Sequence, residues 1–192
     1  LINKFGMDIF SHAFWTAVAS KTANSKIKYF RGKKPINAVW AAMWGIAPDI
    51  FAFAPIFISA ALVFLLGTGD TTVFQIPHPS DMEPTSKNEL FIFKLTRILY
   101  NLSHSAIIFA VIFALVYIAF RRVRLEMLGW LFHIVIDIPT HSYKFYPTPV
   151  LWPINGWEFN GVSWSTPWFM AVNISAIILV SLFYFIRRKK KI

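Results

Sequence analysis

LGWLFHIVIDIPTHSYKFYPTPVLWP, residues 128–153, sets three ionisable groups into an otherwise apolar run: His133, Asp137 and His141, each four residues from the next. At helical pitch, residues four apart lie one turn apart on one face. An imidazole and a carboxylate stacked in this way can reach a single ion. Such groups are expensive in hydrocarbon and need a partner there: an ion, one another, or water in a cavity. The plainer alternative is a buried histidine hydrogen-bonded to a neighbouring carboxylate, serving helix packing alone.

The surrounding chain is of the same character. Of its 192 residues, 56% are hydrophobic and 15% charged, with a mean hydropathy of +0.54. A soluble domain carries about 45–50% apolar and about 25% charged residues, so the composition is that of an all-α polytopic membrane bundle in one domain. The net charge of +10 raises nucleic acid as a partner. Its basic residues, however, fall between apolar spans, as positive-inside topology requires, so the bilayer is the expected partner. The absence of cysteine excludes disulfides, thiol catalysis and cysteine metal sites.

Taken in order, residues 8–20, DIFSHAFWTAVAS, read as a short helix, too short to cross a bilayer core. Met7 reads as the biological start, with residues 1–6 upstream of it. Residues 21–34 form a basic loop. The apolar run from Ile36 to Gly67 would reach about 48 Å as one helix, so a break or kink is expected at Pro48, with Asp49 just after it. Residues 68–88 form a polar outer loop containing His78, which reads as solvated. Residues 89–103 form an amphipathic interfacial helix, and His104 and Ser105 open a span through Phe120. The central helix over about 125–140 returns outward. An aromatic loop follows at 141–166, then a last span at 167–186 ending in the basic cytoplasmic tail 187–192. Segments 21–34, 121–124 and 187–191 hold 14 of the 19 Lys and Arg residues, and placing all three inside gives four crossings.

Helical rise places His133, Asp137 and His141 about 12, 18 and 24 Å from the inner end of their helix, and Asp49 about 20 Å from the start of its own. His12 and His104 fall in the same outer half. The topology was drawn from Lys and Arg alone, so the shared depth of His12, Asp49, His104, His133, Asp137 and His141 is independent of it. Imidazole nitrogens and carboxylate oxygens without thiolate suit zinc, manganese or iron. An ion there lowers the pKa of a bound water to about 7. With two carboxylates present, Asp49 and Asp137 are the catalytic candidates: one would serve as general base or bridge two ions. Each residue also has a plainer role. His12 and His104 can face water at helix ends, Asp49 can satisfy backbone freed by a break, His141 can belong to the loop, and Asp8 can cap its helix.

Five short motifs in order complete the reading: Met7-Asp8 with Ser11-His12, Pro48-Asp49, Ser103-His104-Ser105, His133…Asp137…Thr140, and Leu151-Trp152-Pro153. Over nearly the whole chain this order resembles the bacterial inner-membrane family described as membrane-bound metal-dependent hydrolases, also called LexA-binding, inner-membrane-associated hydrolases. One departure is that the family often carries a basic residue shortly before its Thr-His-Ser motif, where this chain has Tyr100-Asn101-Leu102. Lys144 and Arg97 are the candidates to replace it. The resemblance implies the bacterial inner membrane and a hydrolase activity. The resulting expectation is one or two divalent ions, zinc first, held by His12, Asp49, His104, His133 and Asp137 with His141 beside them, acting on an amphiphilic or lipid-linked ester or phosphoester. A metal or proton transporter and a non-catalytic membrane scaffold are the alternatives. The first calls for polar groups on the inner halves of the helices, where Glu126 and Asn173 are the candidates.

Overall fold

The computed structural model describes residues 2–26, 35–67, 91–143 and 146–189, and the regular elements among them are all helical. The outer loop with His78, Lys144, and parts of the first and last basic segments lie outside the described residues, as do the side chains of Met7 and Asp8. The six α-helices are α1 Ile2–Lys26, α2 Ala38–Leu66, α3 Phe91–Ser103, α4 Ala106–Phe120, α5 Leu128–Thr140 and α6 Pro167–Lys189, with a 3-10 turn at Leu125–Met127 before α5.

Helix α2 is the centre, packed against α1, α3 and α5. The Asn37 side chain opens it by accepting from the Val39 and Trp40 amides at 3.0 and 3.2 Å. Gly67 closes it with φ 60° and an N–H bonded to the Val63 carbonyl. Of the break or kink expected at Pro48, the break does not occur: Pro48 and Pro55 both sit inside one continuous helix of 29 residues. A proline removes one backbone bond, and packed neighbours make that loss tolerable in apolar surroundings. Asp49 is therefore held rigidly on a helix.

The N-terminal helix is longer than expected, running on through the polar residues to Lys26. Asn24 explains part of the extension, since its amide bonds the Ile36 backbone in both directions at 2.9 Å and ties the end of α1 to the entry of α2.

Helices α3 and α4 meet at a 62° bend at His104 and Ser105. The Ser105 hydroxyl caps α4 through the Ile107 and Ile108 amides and donates to the Trp152 carbonyl, while the Ala106 amide bonds Val150. The Leu151-Trp152-Pro153 segment is thereby fastened at the bend.

Two helices, Ala38–Leu66 and Pro167–Arg187, are long and apolar enough to cross a membrane, and a third span is available if the bent pair α3 and α4 counts as one. Four crossings do not emerge. Helix α5 has 13 residues, which reach about 20 Å against a core of about 30 Å. Exposed apolar residues such as Phe64, Leu115 and Leu179 lie on α2, α4 and α6, as lipid-facing surfaces require.

Two glycines let the inner helices touch. A Cβ at Gly129 of α5 would strike the Ala41 carbonyl of α2, and one at Gly45 of α2 would strike the Thr16 hydroxyl of α1. Small residues of this kind let backbones approach where hydrocarbon supplies no hydrophobic drive. Each pairing recurs one turn on: Gly45 meets His133, and Asp49 and Asp137 share the same histidines. Helices α2 and α5 thus run in the same direction with matched turns. Helix α1 runs the other way, placing His12 one turn beyond Thr16 and against His133, with ring centroids 3.9 Å apart.

Candidate metal centre

These matched turns bring all six candidate residues into one buried cluster. His12, Asp49, His104, His133, Asp137 and His141 are each at most 5% exposed. Asp137 is the hub. Its Oδ1 lies 3.1 Å from His12 Nε2 and 3.6 Å from His141 Nδ1. Its Oδ2 lies 3.1 Å from His133 Nε2 and 3.3 Å from His104 Nε2. Asp49 Oδ1 lies 3.5 Å from His104 Nε2 and 3.6 Å from His133 Nε2.

The outer nitrogens fix which atoms face inward. His133 Nδ1 is 2.7 Å from the Gly45 carbonyl oxygen, which can only accept, so this nitrogen carries the proton. His104 Nδ1 is 3.1 Å from the Tyr100 carbonyl and 2.9 Å from Ser103 Oγ, whose own hydroxyl donates to the Tyr100 carbonyl. That arrangement puts the His104 proton on Nδ1 as well. In the neutral rings both Nε2 atoms then present lone pairs, and they face each other at 3.0 Å. Neither Asp137 oxygen nor Asp49 Oδ2 accepts a conventional hydrogen bond among the described residues. Nitrogen and oxygen lone pairs therefore converge on one point, an arrangement that calls for a positive charge among them, either a metal ion or a proton on one of the Nε2 atoms.

The supports around the cluster went unnoticed in the sequence. Tyr100 stacks on the His104 ring at 3.7 Å and donates its hydroxyl to the Tyr146 carbonyl at 2.8 Å. The Trp130 indole N–H holds the Ser103 carbonyl, and Trp130 packs with Phe109, Met127 and Ile134 below the site. Tyr100, Phe53 and Tyr146 close the other side. Gly45, Gly129 and Thr16 had a sequence signal, being four residues from Asp49, His133 and His12 respectively.

His141 joins the cluster at its edge. It ends α5 in extended conformation, its amide bonds the Asp137 carbonyl at 3.0 Å, and its Nδ1 leans on the same carbonyl at 3.3 Å. Two groups have donors close enough together to hold a metal ion: His12, Asp49 and His133, and His104, His133 and Asp137.

An all-helical protein with candidate membrane spans around a buried His/Asp cluster able to hold a metal ion is the class that this fold and site define. Comparison with models of known families, with curated proteins and with solved structures finds no match.

Proposed function

We propose that this chain is a membrane-embedded, metal-dependent hydrolase acting on an amphiphilic ester or phosphoester. The facing Nε2 atoms of His104 and His133, 3.0 Å apart with Asp137 Oδ2 within 3.3 Å of both, carry this reading. The donor set fits zinc, with manganese or iron next. Because His133 Nδ1 is committed to Gly45, both candidate ligand groups compete for one nitrogen, His133 Nε2. That competition favours a single ion.

A bound zinc would supply a water that is acidic near neutral pH and would polarise the scissile carbonyl or phosphoryl oxygen. His104, His133 and Asp137 would hold the ion, with His12 and Asp49 as further candidate ligands. Asp49 Oδ2, buried without a hydrogen-bond partner among the described residues, would serve as the proton acceptor for the attacking water. Hydrolysis would join the water's hydroxyl to the acyl or phosphoryl centre as the bond to the leaving oxygen breaks, and the proton held at Asp49 would pass to that oxygen. The resemblance to the membrane-bound metal-dependent hydrolases supports the same activity, the inner membrane as its place, and basic segments on the cytoplasmic side.

The transporter reading has less support. Glu126 contacts the Asn37 amide at 3.4 Å, and Asn173, which lies in the outer half of α6, bonds Trp15 and Ser11, so both polar residues are engaged in helix docking. Metal content of detergent-purified protein, measured by mass spectrometry beside His133→Ala, tests the proposal. One equivalent of zinc or manganese, absent in the variant, is expected. Wild-type protein purified without chelator and free of metal would overturn it.

A further inference from the structure

Beside the cluster lies a cavity of about 360 Å³ between α1, α5 and α6. Its walls are mostly apolar, with Trp15, Phe132, Ile136, Trp164 and Met170 prominent, and His12 stands at one end. His12 is also the residue whose Nε2 lies 3.1 Å from Asp137. The cavity and the metal cluster therefore share a wall. A molecule lying in the cavity has its far part against aromatic and aliphatic side chains and its near end against the His12 imidazole, which separates it from Asp137.

The remaining polar wall is already employed. Asn173 of α6 accepts from the Trp15 indole at 2.8 Å and donates to Ser11 Oγ at 2.8 Å, which fastens α6 to α1 across the cavity. The polar end of an occupant is thus directed to His12. Helix α6 forms one side, and none of its most apolar window is buried within the protein. Its other face is a lipid-facing surface, so hydrocarbon can enter sideways past α6. Ligand pockets span about 300–1,000 Å³, and this one lies near the lower end. One hydrocarbon chain fits that space better than two.

Resting on the hydrolase reading above, we infer that the substrate is a single-chain amphiphile, its tail in this cavity and its ester or phosphoester at His12, the wall that the cavity shares with the metal cluster.

The test uses the full chain in phosphatidylcholine nanodiscs with hexadecanoic acid bearing a diazirine at its methyl end. Cross-links are mapped by mass spectrometry, and metal content is measured on the same samples. Saturable labelling of Phe132, Ile136 and Met170 is expected against the two-chain lipid background, competed by lysophosphatidylcholine. Met170→Trp, which fills the cavity from α6, should remove that labelling and leave the metal in place. Labelling confined to the outer faces of α4 and α6, or cavity labelling that lysophosphatidylcholine does not displace, would overturn the inference. The wild-type competition decides alone if Met170→Trp is not recovered folded. Cavity labelling in metal-free protein would uphold the chain-binding site and sink the hydrolase, whereas bound metal without cavity labelling would sink only this inference.

Discussion

His133 Nδ1 lies 2.7 Å from the carbonyl oxygen of Gly45, a backbone group on a different helix. This contact turns Nε2 of the same ring toward Asp137 and His104, and it exists because α2 and α5 touch one turn earlier, at Ala41 and Gly129. The orientation of the central histidine is therefore a consequence of backbone packing.

Gly129→Ala tests that dependence directly. The added methyl meets backbone, which cannot swing aside as a flexible side chain can. A loss of about 1–3 kcal/mol is expected from overpacking, read as a lower melting temperature in detergent, together with weaker metal retention as His133 draws away from Gly45. Unchanged stability and metal content would show that the two helices have room to spare.

Asp137→Asn keeps the shape of the hub and removes its charge. Four imidazoles currently approach its two oxygens within 3.6 Å. The variant is expected to lose both the metal and all turnover while remaining extractable as folded protein. Retained turnover would falsify the assignment of Asp137.

Ser103→Ala removes a contact of 2.9 Å to His104 Nδ1 without touching any inward-facing atom. Losing a support of this kind costs about 10–100-fold in metal affinity. A chelator competition titration should show that drop with little change in melting temperature. Equal affinity in the two proteins would mean that Tyr100 and its carbonyl orient the ring unaided.

Tyr146 supplies a prediction in pH. Burial pushes its phenol from 10.0 up to about 12, with Arg97 opposing the rise. The folded state thus favours the neutral phenol, so its contribution is fully present below about pH 10 and is lost as pH climbs toward about 12. Wild type should lose up to about 2–3 kcal/mol across that window, and Tyr146→Phe should lack this component. Melting curves of both proteins at about pH 9 and about pH 11 provide the check. A wild-type to variant difference that does not change with pH would remove the buried phenol as the cause.

By itself the sequence determined what local chemistry can dictate. The spacing of His133 and Asp137 put them on one face of a helix that does span Leu128–Thr140, because the helical repeat is a property of the chain alone. The amphipathic stripe before His104 became α3, the described residues of the aromatic run at 141–166 stayed outside the helices, and the last apolar run became α6. The six polar residues in apolar sequence were visible as a set, since hydrocarbon makes such residues costly wherever they stand. Other features depended on neighbours. The helix does not break at Pro48, because α2 packs against α1, α3 and α5, which make the lost backbone bond tolerable. The number of crossings could not be counted from hydropathy, because a 13-residue α5 is apolar through burial against other helices as well as through contact with lipid. Only the tertiary structure decided that His104 and His133 aim the same nitrogen at each other. That choice is made by two backbone carbonyls, at Tyr100 and Gly45, and by the glycines that let one helix come close enough to use them.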